Sequence, residues 1–339
     1  MALLVTGATG FLGSVLIRRL VAHGHKNIRC LVRPSSDTTK LIALEQQHSD
    51  VRIECIRANL ADHQELFRAL DGVDTIYHLA AGMRGSWADV VMSSVVTSRN
   101  LLEAAVAAGT LKIVLVSSFS VYGVSDLPRG AVVNEDTPLE RRPEKRDPYA
   151  FGKLRQERLF HEYQERFGFN LVVLRPGVIY GAGGSPMSTR VGLQFPGLFL
   201  HVGGGNKLPL SYVDNCADAI VIAGRCAAGQ RSVYNVHDDV LPSCGVYLRA
   251  YRRNVERIRS VRMPYFAISA LSRGIEWYHN YSAGQLPAFL TPYKTAALWK
   301  GNRFDNSKIK GLGWKQLVST EEGLARTFHA LKLSRGASK

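Results

Sequence analysis

The sequence predicts an α/β fold: a doubly wound parallel sheet with a smaller C-terminal lobe. Three observations carry this. The chain opens ALLVTGATGFLG, a short apolar run followed by glycines at 7, 10 and 13 and then by helical periodicity. Apolar runs and helical stretches then alternate as far as residue 116, the pattern of βαβ units. At 339 residues and 46% hydrophobic, the chain is long enough to bury a large core.

Residues 3–5 are a fully apolar run and read as a buried parallel strand. Val15, Leu16, Leu20 and Val21 recur at helical spacing, and Gly24 ends that helix. A glycine in the turn between them lets the backbone approach a pyrophosphate, and the helix N-terminus offers free N–H groups to it. The spacing is G-x-x-G-x-x-G rather than G-x-G-x-x-G, but its strand–turn–helix setting is the required one, so a dinucleotide cofactor is expected.

Residues 27–32 read as a second strand, ending at Arg33. The ribose-reading slot falls about 20 residues past the glycines, where an acid marks NAD and an arginine accommodates the 2′-phosphate of NADP. Arg33 occupies it and no acid follows before Asp37, which favours NADP over NAD. Residues 51–56 (VRIECI) alternate as a third strand and lead into a helix cap over residues 59–62. Residues 73–79 form a fourth strand, and Ala80, Ala81 and Gly82 after it leave room beside a cofactor. His78, inside that apolar run, reads as a satisfied core residue rather than a base. Residues 100–108 are a helix closed by Gly109, and residues 112–116 (KIVLV) a fifth strand. The whole is a Rossmann-type arrangement.

The formal net charge is +15, and residues 251–339 carry +11 of it, with 16 Lys/Arg against 5 Asp/Glu. Such a lobe attracts an anionic substrate or membrane surface; with no nucleic-acid motif beside it, nucleic acid is not expected, and a solvated basic face is the plain reading. No apolar run reaches the roughly 18–20 residues of a transmembrane helix. The first strand begins at the second residue, so no signal peptide is expected. The five cysteines are scattered without a C-x-x-C, which argues against a zinc site or disulfide framework. A cytoplasmic protein is expected.

Further along, the chain resembles the extended short-chain dehydrogenase/reductase family, which includes the NAD-dependent epimerases and dehydratases. The resemblance rests on TGATGFLG (6–13), HLAAG (78–82), NLLEAA (100–105), VSSFSVYG (116–123), YAFGK (149–153), LRPGVIYG (174–181) and YVDNCADA (212–219), in family order. The tail ALWKGNRFDNSKIKGLGWK looks like that of 3β-hydroxysteroid-dehydrogenase-like and dihydroflavonol-reductase-like members. The resemblance implies that Gly7, Gly10, Phe11 and Leu12 line the pyrophosphate and Arg33 the adenosine ribose or its phosphate. It places Asn59 and Leu60 by the adenine, Leu79, Ala80 and Ala81 along the cofactor's middle, and Pro176 at the nicotinamide. Ser118 matches the catalytic Ser/Thr, ahead of Ser117 and Ser120, while Tyr149 and Lys153 match the catalytic pair, with Lys153 also on the nicotinamide ribose. Two departures stand out: Ser94 and Asn59 replace the family's frequent Asn and Asp. Phe119 and Ser120 occupy the place of the dehydratases' Asp-Glu pair, which disfavours sugar dehydration.

The chemistry of that pair follows from spacing. Residues four apart on a helix share a face. A phenol with an ordinary pKa near 10 is a poor base at neutral pH, and an ammonium beside it favours the phenolate. Asp147 as N-cap and Pro148 at the first helical position put Tyr149 in the first turn, where the helix dipole acts in the same sense. Tyr149 is therefore expected to have a lowered pKa and to exchange a proton with the substrate oxygen.

Residues 1–180 are expected to bind the cofactor and carry the Ser-Tyr-Lys site. Residues 181–339 are expected to be mainly substrate-binding, with about 208–240 returning to the first domain. The glycine-rich stretch holds Gly203, Gly204 and Gly205, read as a flexible hairpin rather than a phosphate cradle; Asp214 reads as structural. Residues 263–279 read as a helix packed on the lobe, with a membrane or lipid-like substrate face as the competing reading. Pro287 and Pro292 bracket a loop at the pocket's edge. The leading functional expectation is an oxidoreductase acting on a secondary alcohol or ketone. A nucleotide-sugar epimerase with tightly held NAD competes with it, as does a non-catalytic nucleotide-sensing scaffold. Homodimerisation is common in the family.

Overall fold

Every strand expected before residue 117 enters a single parallel sheet. In the computed structural model, which describes residues 2–83, 85–226, 232–282 and 290–336, these are β1 (Ala2–Thr6), β2 (Asn27–Val32), β3 (Arg52–Arg57), β4 (Val73–His78) and β5 (Lys112–Val116). Two later runs join them, β6 (Asn170–Pro176) and β7 (Ser232–Val236). The order across the sheet is β7-β6-β5-β4-β1-β2-β3. Pairing is parallel throughout.

Strand alternation divides the core in two. Leu3 and Val5 point to one face with Val114 and Val116, where Val15, Leu16 and Leu20 of helix Phe11–Ala22 meet them. Leu4 points to the other with Ile113 and Leu115, against Leu101, Leu102, Leu159 and Phe160 of helices Thr97–Ala107 and Pro148–Phe167. Successive residues of a strand face opposite ways, so a strand buried on both faces must be apolar throughout, as KIVLV nearly is.

Beyond residue 180 the chain builds a small sheet. Gly192–Phe195 pairs antiparallel with Leu198–His201, and that strand pairs parallel with Ser260–Arg262. Helix Val213–Arg225 and β7 return to the large sheet. Gly203, Gly204 and Gly205 form a turn anchored at its first glycine. Asn206 N donates to Gly203 O at 2.9 Å, closing a turn; a Cβ on Gly203 would stand 2.4 Å from Arg190 O, while one on Gly205 would meet nothing within 4 Å. Helix Tyr265–Tyr281 packs Ile268 against Val202, Leu290 and Trp299 while Phe266, Trp277 and Tyr281 stay exposed. Among the described residues no helix is long and apolar enough to cross a membrane. Pro287, expected at a pocket edge, lies outside the described residues.

Candidate active site

β1 and β4 lie side by side, Thr6 beside His78, and the chain leaves them toward opposite edges of the sheet. Open α/β sheets bind ligands at such a switch point. Gly7 holds φ +73°, a left-handed conformation, and a Cβ on it would stand 3.2 Å from the Ala80 nitrogen. A Cβ on Gly13 would stand 2.0 Å from Gly7 O. Turn, helix and residues 79–81 thus meet backbone to backbone. Thr6 Oγ1 fixes the meeting by accepting from Leu79 N and Ala80 N, each at 3.3 Å. Gly10 is the N-cap of helix Phe11–Ala22, and no side chain caps it. The first-turn N–H groups and the positive end of the dipole are left to a ligand. A dinucleotide pyrophosphate fits this cradle of backbone and small residues, the place where Gly7, Gly10, Phe11, Leu12, Leu79, Ala80 and Ala81 are expected to hold it.

At the end of β2, Arg33 is exposed, and its carbonyl accepts from Ser36 N at 2.9 Å. Arg57, from β3, donates to Pro34 O at 2.6 Å and Ser36 O at 3.4 Å, clamping the loop that follows Arg33. Asn59 is exposed, and its side-chain oxygen accepts from Ala61 N at 3.0 Å. The helix cap is Asp62, which accepts from Gln64 N and Glu65 N. Leu60 is half-buried, its carbonyl held by Asn100 Nδ2 at 3.1 Å. Pro176 is buried at the end of β6.

The residues expected at the reacting end lie beyond β5. Ser118 is half-buried there, its Oγ accepting from Ser120 N at 3.1 Å. Asp147 caps helix Pro148–Phe167 by accepting from Ala150 N at 2.9 Å, with Pro148 at its start. Tyr149 sits half-buried in the first turn. Its phenol does not have the lowered pKa expected. Burial raises it, Asp147 adds to the rise, and only the Ser118 hydroxyl beside it works the other way.

The reason is where Lys153 points. This side chain is 5% exposed; its Nζ donates to Val116 O at 2.8 Å and Gln156 Oε1 at 3.0 Å. Burial holds its pKa down at about 8, against the raising influence of Glu157. An unfolded lysine keeps its proton to its ordinary value near 10.5, so between pH 8 and 10.5 the unfolded chain binds more protons than the native one. Stability must then rise with pH across that window. Wild type should gain on the order of 3 kcal/mol relative to Lys153→Met from the lower to the upper end of that window. Urea denaturation of both proteins at several pH values measures it; parallel stability curves would refute it.

Gln156 is not among the expected site residues, though it lies one turn from Lys153 on the same helix face. Its Nε2 reaches Ser98 Oγ at 2.8 Å, Ala80 O and His78 Nε2 at 3.1 Å, and Ser94 O at 3.3 Å. It ties Lys153 to the cofactor crevice. His78 is fully buried among these partners, with Nδ1 2.8 Å from Thr6 Oγ1. Burial, helped by Lys153, lowers its pKa to about 3, so it is a neutral core residue. Ser94 sits in the π-helical stretch Val91–Val96 and accepts from Gly82 N at 2.8 Å; π-turns recur at functional sites. Ser117 is committed to Glu157. Ser120 Oγ is buried without a hydrogen-bond partner.

Comparison with known proteins decides the family: residues 3–236 match the model of the NAD dependent epimerase/dehydratase family. The chain belongs to that family. As an extended short-chain dehydrogenase/reductase, it is an enzyme of the NAD(P)-dependent dehydrogenase, reductase and epimerase class. An uncharacterized UDP-glucose epimerase of Bacillus subtilis (strain 168), YtcB, is 31% identical, over 65% of this chain and 71% of its own. Cinnamoyl-CoA reductase 1 of Arabidopsis thaliana is 26% identical, over 97% of this chain and 88% of its own. The family fold recurs in the UDP-glucose 4-epimerase of Thermus thermophilus, solved in complex with NAD. It is 22% identical with a TM-score of 0.69, covering 99% of this chain and 100% of that one.

Proposed function

We propose that this family member is an NADP-preferring dehydrogenase or reductase acting on a secondary alcohol or ketone, with Tyr149 as its proton-transfer group. Residues 1–180 bind the cofactor and 181–339 mainly form the substrate lobe. The observation that carries this reading is the half-buried Tyr149 in a capped first helical turn, its phenol beside Ser118. When bound, the nicotinamide supplies or accepts the hydride. In reduction, the Tyr149 phenol gives its proton to the substrate oxygen as that oxygen gains charge, while the Ser118 hydroxyl donates a hydrogen bond to the same oxygen. In oxidation Tyr149 takes the proton instead, and Ser118 keeps the same hydrogen bond. Lys153 holds the nicotinamide ribose hydroxyls, and Pro176 borders that end of the site. Asn59 and Leu60 border the adenine.

NADP preference is supported by the exposed Arg33 on the loop clamped by Arg57, where NAD binders place an acid. Arg33→Ala should weaken NADP binding about tenfold, a loss of ~1.4 kcal/mol, and leave NAD binding alone; titration with each cofactor checks it. The reading as a whole is tested by incubating the protein with NADPH and a panel of ketones. Exchange of free cofactor and oxidation of NADPH support a reductase. Co-purification with NAD that does not exchange would move the assignment to epimerase, the activity in the name of the Bacillus relative.

A further inference from the structure

Arg190 is half-buried on the part of the chain expected to bind substrate. Its guanidinium stands over the Phe304 ring, 5.9 Å from the centroid. Phe304 stacks on Phe119 at 5.4 Å and 12°, and Phe119 directly follows Ser118. The main chain of Arg190 is pinned: its carbonyl accepts from Trp299 Nε1 at 3.1 Å and Cys244 Sγ at 3.4 Å. Among the described residues no carboxylate pairs with it.

The surroundings of the same two rings are short of partners as well. His237 packs edge-on to Phe119 and Phe304, at 6.2 and 6.5 Å. Its Nδ1 donates to Asp238 O at 2.7 Å, which leaves Nε2 as a buried acceptor without a partner among the described residues. Ser120 Oγ, next to Phe119, is likewise buried and unpartnered. Buried polar groups are ordinarily hydrogen-bonded, and a desolvated cation is costly unless paired. Arg190 is half-buried; desolvation brings its pKa down to about 10, with Arg146 pushing the same way, and it stays a cation at neutral pH. The Phe304 ring beside it offsets part of that cost, and among the described residues no carboxylate takes the N–H fork, which suits an oxyanion.

We infer that Arg190 is an anion-binding residue of the substrate cleft, and that the substrate carries a carboxylate or phosphate group held beyond the Phe119–Phe304 stack from the reacting carbon. This rests on the proposed reading of Ser118 and Tyr149 as the reacting end. An arginine fork matches either planar carboxylate or phosphate oxygens; His237 Nε2 would accept from a hydroxyl on the connecting chain.

The test uses the full-length protein with two probes, inorganic phosphate and glutarate, titrated at ionic strength held constant with sodium chloride. Thermal midpoints are followed. Saturable stabilisation by one or both is expected, the better probe naming the anion. Arg190→Gln should weaken it at least about tenfold. No stabilisation beyond that of chloride, or equal response in the variant, overturns the proposal. If Arg190→Gln does not fold, phenylglyoxal labelling of wild type decides. Protection of the Arg190 peptide by the probe supports the site, and unprotected labelling overturns it. Tyr149→Phe should keep the anion response. Failure to oxidise NADPH with any ketone, with the response intact, would remove the hydride chemistry and leave the anion site standing.

Discussion

Tyr149→Phe is expected to lower turnover by about 10²–10⁴ and to leave cofactor affinity unchanged. The substitution deletes one hydroxyl and little else. Asp147 still caps the helix through Ala150 N at 2.9 Å, and the glycine turn is untouched. What goes is the proton that the substrate oxygen needs. Burial and Asp147 raise the phenol's pKa, which keeps Tyr149 protonated at neutral pH in the absence of ligand. It is then poised as an acid, which suits carbonyl reduction. Only the protonated form can donate, so the reductive rate should be flat through neutral pH and fall on the alkaline side, at or above the ordinary tyrosine range near 10. Stopped-flow single turnovers separate this step from product release. Wild-type turnover in the Phe variant would move proton transfer elsewhere, and Ser118 would be the next residue to examine.

How much of this could be read in advance depends on the range of the constraint. The glycine turn is legible because one backbone conformation, Gly7 at φ +73°, and one close approach, Gly13 to Gly7 O, demand glycine locally. The strand at residues 27–32 is legible to the residue because apolar and flanking turn residues delimit it. The helix expected from residue 100 begins at Thr97 and is preceded by a π-helical stretch, VMSSVV, whose apolar pattern cannot be told from α-helix by periodicity. Tyr149 and Lys153 are legible as a pair on one helix face, yet the direction of Lys153 is not. Val116 O, which takes its ammonium proton, belongs to a strand 37 residues earlier. Arg190 is hidden for the same reason: Phe304, Trp299 and Cys244 reach it only after folding.

Glu157 gives the second large effect, on stability rather than turnover. Its carboxylate is fully buried on the helix that carries Tyr149. It accepts from Arg175 Nε at 3.2 and 3.3 Å, from Arg175 Nη2, and from Ser117 Oγ. Arg175 lies on β6 with its guanidinium 4.7 Å from the Tyr122 centroid, and Tyr122 donates to Asn235 of β7 at 2.6 Å. The ion pair therefore fastens the Tyr149 helix to β6, with Ser117, just past β5, as a second tie and Tyr122 linking Arg175 onward to β7. Glu157→Gln keeps the volume and strands the Arg175 charge in the interior, which should cost about 3–5 kcal/mol, against a total of roughly 5–15 kcal/mol for a folded domain. The sign reverses when both charges go: Glu157→Leu with Arg175→Met should be more stable than either single variant, because no buried ion is left unpaired. Guanidinium unfolding of the four proteins measures the coupling, and singles within about 1 kcal/mol of wild type would show that the pair bears no such load. The same charge supports the ammonium of Lys153. In the folded fraction of Glu157→Gln, Lys153 should then lose its proton at lower pH than in wild type, moving the alkaline edge of cofactor binding toward neutrality.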